Sequence, residues 1–286
     1  MSLFECTIRV LGGLLSAFHL SGDRVFLDRA RQLGDGLMPA FGSGWSPIPL
    51  SSVSLRDRTA RAPAGLGWGD PDTSTSEVTS IQLEFVDLSR QTGDPRYEQA
   101  VMAVSRHVSS LRKKDGLVPV SINPRTGLFR ASASVSVGAG ADSYYEYLLK
   151  TWLLTAKKHD FLKADFERAV AGIRKHLLQE SFPNGLFCLG ELAETVMGLT
   201  FNPRMEHLSC YLGGALALAS RNGFPVEYMT LAERLTDTCW RMYELMPTGL
   251  SPESVYFNTI PSAVDDFYVR YQDVSPLFPQ DDWFIA

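Results

Sequence analysis

Gly22-Asp23-Arg24-Val25-Phe26-Leu27-Asp28-Arg29-Ala30 returns later in the chain as Gly93-Asp94-Pro95-Arg96-Tyr97-Glu98-Gln99-Ala100-Val101. Each copy follows a Gly-Asp turn with an aromatic residue and then a small apolar one at helical spacing. The stretches entering these turns, Ile8 to Leu20 and Glu77 to Arg90, read as helices. The stretches leaving them read as helices ending near Gly36-Leu37-Met38-Pro39 and Gly116-Leu117-Val118-Pro119. Two further units follow the same grammar. One is Ser143 to Lys158, a turn at His159-Asp160, then Phe161 to Leu178. The other is His207 to Arg221, a turn at Asn222-Gly223-Phe224-Pro225, then Val226 to Met246. The pattern predicts an all-α chain of four helical hairpins.

An acid heads the first helix of every unit: Glu5, Glu77, Asp142 and Glu206, at near-equal intervals. A lone acid at a helix start has a plain reading, as a cap that meets free N–H groups and the positive end of the helix dipole. Four acids in one phase shift the balance, because Ser, Thr or Asn caps equally well. Repeats of this length bury their faces against their neighbours. They can stack linearly as an α/α solenoid that binds peptides, or close as an α/α toroid with first helices inside. Small residues on the first helices favour the toroid: Gly12, Gly13, Ala17, Gly213, Gly214, Ala215 and Ala217. Carboxylates gathered across a cavity suit glycoside hydrolysis, one as proton donor and another as base. Arg9 lies one helical turn beyond Glu5, within reach for an intrahelical pair.

Longer connections rich in Gly, Pro, Ser and Thr join the units. Gly42 to Thr75 is the longest, and Gly116 to Gly140 alternates enough to predict a β-hairpin. After Gly249-Leu250-Ser251-Pro252-Glu253 no amphipathic helix is visible, so the toroid is read as open after four hairpins. The chain starts almost inside a helix and reads as a fragment or an isoform.

At 286 residues and a net charge of −5, nucleic acid and anionic membrane surfaces are poor partners. No run of about 18 apolar residues appears, and the N-terminus lacks the form of a signal peptide. Cys6, Cys188, Cys210 and Cys239 form neither a disulfide framework nor a zinc motif, and as a set they read as buried thiols. No Asn begins a glycosylation sequon. No His/Cys/Asp cluster has the spacing of a metal site. Tyr144, Tyr145, Tyr147, Trp45, Trp68 and Trp152 are open to core or sugar-stacking roles. His19 and His107 read as structural or surface residues, and His207 alone would read as a packed core residue.

Four phrases carry a family resemblance: Phe4-Glu5-Cys6-Thr7-Ile8-Arg9, Glu77-Val78-Thr79-Ser80-Ile81-Gln82-Leu83-Glu84-Phe85, Ala141-Asp142-Ser143-Tyr144-Tyr145-Glu146-Tyr147, and Gly249-Leu250-Ser251-Pro252-Glu253. The chain resembles the class I α-1,2-mannosidases, glycoside hydrolase family 47, most of all the endoplasmic-reticulum type that trims oligomannose N-glycans. The resemblance implies an (α/α)7 toroid, about four of its seven hairpins present, with inversion at the sugar and a bound calcium. It makes Glu5 the proton donor, Asp142 an active-site acid and Glu253 the base. Arg9, Glu77, Glu206 and His207 would bind substrate. It pairs Cys210 with Cys239, which implies an oxidising lumen of the endoplasmic reticulum or Golgi, and leaves Cys6 and Cys188 free. Its partners would be oligomannose N-glycans on glycoproteins, with a membrane reached only through an upstream anchor.

The expected division is a partial catalytic domain over 1–258 and a non-matching tail over 259–286. The family's arginine two positions before Asp142 is Gly140 here. The family's Arg-Pro-Glu-Thr segment and its calcium-binding threonine are not found, so no metal ligand is expected in this chain. The other readings are a catalytically inactive glycan-binding or quality-control protein, and an α/α scaffold for protein partners.

Overall fold

The computed structural model describes residues 1–42, 46–62 and 72–270. Trp45, Trp68 and the segment 275–286 lie outside the described residues. The chain divides into two units: Met1–Ser136 with Gly140–Gly172, and Val137–Ala139 with Ile173–Ala286.

The first unit carries three helical hairpins. Its opening helix is built from α1 (Leu3–Glu5), a π-helical stretch Cys6–Leu11, and α2 (Gly12–Ser21). The partner helix is α3 (Arg24–Leu37). The Gly-Asp grammar has a local cause. Gly22 ends α2 in the left-handed region at φ 70°, where a residue without Cβ fits without strain. Asp23 then caps α3, accepting the Val25 N–H at 2.9 Å. Gly93 (φ 72°) and Asp94, which accepts the Arg96 N–H at 3.1 Å, repeat the device. They sit between α5 (Gln82–Thr92) and α6 (Arg96–Ser110).

Three expected boundaries shift. The helix from Glu77 breaks at Ser80 and Ile81, leaving a short α4 (Thr75–Thr79) before α5. Helix α6 stops at Ser110, where Leu111 turns extended (ψ 150°), not at Gly116. The third hairpin has α7 (Asp142–Leu154) and α8 (Asp160–His176). Helix α7 ends before Lys158 because Ala156 and Lys157 are left-handed at φ 52° and 63°. Helix α5 packs between α2 and α7, and α3 also packs on α5. Phe85, Leu88, Tyr97, Val101 and Val104 fill the core, all fully buried. Leu3–Ser21 is long and apolar enough to cross a membrane, with mean hydropathy 1.3. Its Leu3, Leu11 and Leu15 are buried in this unit.

The chain is not purely helical. In the first unit β1 (Ser52–Ser54) pairs with β2 (Thr59–Arg61), and β3 (Thr73–Ser74) with β4 (Ser121–Ile122). The hairpin expected over Gly116–Gly140 is reduced to isolated bridges, Ile122 with Phe129 and Pro119 with Val135, because Ser121 and Ile122 are taken by β3.

In the second unit, two antiparallel hairpins without a counterpart in the sequence reading precede the last helices. They are β5 (Leu178–Glu180) with β6 (Phe187–Leu189), and β7 (Glu191–Thr195) with β8 (Gly198–Asn202). Strand β10 (Ser254–Phe257) lies between β9 (Arg204–Glu206) and β11 (Phe267–Tyr268). A short 3-10 turn (His207–Cys210) leads into α9 (Tyr211–Ser220), which pairs with α10 (Glu227–Glu244). The buried Asp266 accepts from Ser181 Oγ (2.6 Å) and from the Asn184 backbone N–H (3.0 Å) and side-chain amide (2.6 Å). The chain beyond residue 258 is thereby tied to the turn after β5.

Candidate active site

In the first unit Glu5 is half-exposed in the opening turn, where Ser2 rather than Glu5 is the cap. Its carboxylate pairs with Arg9, as the spacing predicts. Glu77 sits at the start of α4. Ser74 Oγ accepts its N–H at 3.3 Å, and Glu77 Oε2 accepts from the Thr73 hydroxyl at 3.0 Å. Asp142 opens α7, its Oδ1 accepting the Ser143 N–H at 2.8 Å. Burial pushes the Asp142 carboxyl above its ordinary range; bonds from Ser143 and Ser76 oppose this, and Glu146 adds to it. Helices α4 and α7 are stitched together at these ends. Ser76 N–H donates to the Gly140 carbonyl at 2.9 Å, and the Ser80 and Ser143 hydroxyls bond at 2.6 Å. Gly140 itself is left-handed, at φ +87°.

The second unit gathers three candidates through strand pairing. Ser254 of β10 stands opposite Glu206 of β9. The next pair outward is Glu253 and His207, joined by a backbone bond of 2.9 Å from His207 N–H to the Glu253 carbonyl. The Glu253 side chain is exposed. His207 Nε2 lies 2.5 Å from the Tyr243 hydroxyl, with the rings edge-on at 5.3 Å.

Glu206 departs from its three counterparts. It closes a strand, and its side chain caps no helix. Its Oε1 takes Arg204 Nη1 at 2.8 Å and its Oε2 takes the Ala139 N–H at 2.6 Å. A methyl group at Gly138 would overlap this carboxylate.

Cys210 and Cys239 form a disulfide, and Cys6 and Cys188 are free and buried. Burial pushes the Cys188 thiol up to about 12, which makes it a poor nucleophile. Tyr144 and Tyr145 are core residues, while Tyr147 is half-buried. His19 bonds to Asp87 (2.7 Å) and His107 to the Gly127 carbonyl (2.8 Å).

One acid escaped the reading of sequence patterns. Glu84, in the first turn of α5, is pushed up to about 7 by burial, with its own backbone N–H, Tyr147 and Lys150 pulling the other way. The sequence hides it, because α5 also carries Asp87, Arg90 and Gln91.

The first unit thus presents helical hairpins with acids near their heads, and in the second unit a strand pair sets an acid beside a histidine. The chain belongs to glycosyl hydrolase family 47, whose family model matches residues 1–279. It is 49% identical over 264 residues to a rat protein named endoplasmic reticulum mannosyl-oligosaccharide 1,2-alpha-mannosidase, covering 92% of this chain and 39% of that one. The human protein of the same name is 48% identical over 262 residues, covering 91% and 36%. The chain thus spans about two fifths of the length of these curated relatives. An alpha-1,2-mannosidase from Trichoderma reesei superposes with a TM-score of 0.82 at 24% identity, covering 92% of this chain and 56% of that one, which establishes the shared fold.

Proposed function

We propose that this chain contributes the acid-bearing part of an α-1,2-mannosidase that removes terminal α-1,2-linked mannose from oligomannose N-glycans. The relatives' names supply the reaction and the bond. The observation that favours it most is the β9–β10 pairing, which sets Glu253 beside Glu206 and His207. Under this reading residues 1–258 are part of a catalytic domain whose hairpins close as an (α/α)7 toroid, in the lumen of the endoplasmic reticulum or Golgi.

The chemistry follows from two carboxyl groups. Glu5, protonated, donates to the glycosidic oxygen as its bond to the anomeric carbon breaks. Glu253, ionised, takes a proton from a water whose oxygen forms the new bond on the opposite face, so the configuration inverts. Asp142 stabilises the oxocarbenium-like transition state. Arg9, Glu77 and His207 bind the mannose hydroxyls. Glu206 serves by holding backbone, since both its oxygens already have protein partners. Calcium is implied by the resemblance. Among the described residues no three His, Cys, Asp or Glu side chains come together as a metal site, so the side chains do not fit it and no step runs through it.

The test is mannose release from an oligomannose N-glycan by the 286-residue chain, followed by mass spectrometry with Glu5→Gln as control. Hexose loss that the control abolishes supports the reading. A folded chain that binds the glycan without cleaving it supports a glycan-binding protein instead.

A further inference from the structure

Glu84 of α5 stands between two other first helices of the first unit, α2 and α7. On one side it meets Gly12 of α2, where a methyl group would lie 3.5 Å from its Cγ. On the other side it meets α7. The Tyr147 hydroxyl donates to its Oε1 across a long 3.4 Å, while its Oε2 is buried without a hydrogen-bond partner. A buried carboxylate oxygen with no donor is costly, whereas a neutral acid is tolerated there. The groups that bear on Glu84 electrostatically are Tyr147 and Lys150, both from α7. Lys150 is itself paired with Glu146, one turn earlier on the same helix. Glu146 lies one turn beyond Asp142 and disfavours its ionised form. Asp142, Glu146, Lys150 and Glu84 therefore form a line of linked charges running down α7 and across to α5.

We propose that Glu84 is a positioning residue for Asp142, acting through Lys150 and Glu146 by holding a proton in the buried space beside Gly12. With Glu84 neutral, Lys150 stays with Glu146 and compensates the negative charge nearest Asp142. When Glu84 ionises, Lys150 serves two carboxylates, Glu146 is less compensated, and Asp142 binds its proton more tightly. The ionisation of one acid is thereby linked to that of the other through Lys150 and Glu146. The significance for catalysis rests on the proposed role of Asp142, while the coupling belongs to the first unit and does not depend on it.

The experiment is carboxyl ¹³C NMR of the whole 286-residue chain labelled at Asp and Glu, titrated with pH. Glu84 is expected to titrate near 7. Glu84→Gln fixes the neutral state, so the Asp142 signal should lose its response to the Glu84 transition near 7 while its own midpoint holds. Lys150→Met should raise it. An Asp142 signal that does not respond to Glu84 ionisation, or an Asp142 midpoint that Lys150→Met does not raise, overturns the proposal, as does a Glu84 that titrates in the ordinary carboxylate range. If Glu84→Gln fails to fold, Lys150→Met decides alone. No step needs mannosidase activity, so an inactive chain sinks the proposed function and leaves this inference standing.

Discussion

The backbone N–H of His207 donates to the carbonyl of Glu253 at 2.9 Å, one step beyond the last β9–β10 pair. A strand pair, and not a helix head, is what brings these two residues together. Met205 and Val255, the pair at its centre, are both fully buried. Met205→Ala is therefore expected to cost about 2–5 kcal/mol. Chemical denaturation would measure it, and a change under about 1 kcal/mol would mean that this sheet is not what anchors Glu253.

Glu5→Gln should lower mannose release on the order of 10²–10⁴-fold in a protein competent for the reaction, since a positioned general acid contributes that much. Arg9→Ala should raise KM as well, because the guanidinium also fixes Glu5. Equal activity of Glu5→Gln and the parent would remove Glu5 from the mechanism.

Glu84 makes stability depend on pH with an unusual sign. Its folded value of about 7 lies above the ordinary 4.5. The native state therefore binds more protons than the unfolded state between those values, and stability falls as pH rises through that window. The full loss is on the order of 3 kcal/mol. Glu84→Gln should flatten the decline, and thermal melts from pH 4 to 8 on both proteins would show it.

Reducing the Cys210–Cys239 bond opens a loop with a sequence separation of 29 residues. By the chain-entropy argument the cost is about 3–4 kcal/mol. Melting with and without reductant measures it, and the Cys210→Ala, Cys239→Ala double variant should lose its sensitivity to reductant.

Glu206 and Gly138 should behave as one unit. Gly138→Ala forces a methyl group into the carboxylate and is expected to cost about 1–3 kcal/mol. Glu206→Ala strips the Ala139 N–H and Arg204 of an acceptor and should cost a similar ~1–3 kcal/mol. The double variant should be more stable than the sum implies, since the overlap disappears with the side chain.

What could be read from sequence was local. Gly22-Asp23 and Gly93-Asp94 set their turns with chemistry contained in a few residues: a left-handed glycine and a capping carboxylate. The Glu5–Arg9 pair is one helical turn long. What could not be read depended on distant partners. Glu206 looks like a helix-heading acid until β10 claims β9 as a strand. The β7–β8 hairpin is mostly exposed, with Leu192 its one fully buried residue, so it lacks the alternation that marks a strand. Glu84 reads as an ordinary helix-surface acid because its burial comes from Gly12 in another hairpin. The left-handed Ala156 and Lys157 carry no glycine to announce them.

The bond between Ala139 and Glu206 also sets an order in time. Ala139 is made 67 residues before the carboxylate that its N–H requires. At roughly 5–20 residues per second, the ribosome delivers Glu206 roughly 3 to 13 seconds after Ala139. Helices α7 and α8 are synthesised within that interval. They are complete before the acceptor for the Ala139 N–H exists. Slowing translation between residues 140 and 206 would lengthen that interval without altering a single residue of the finished protein.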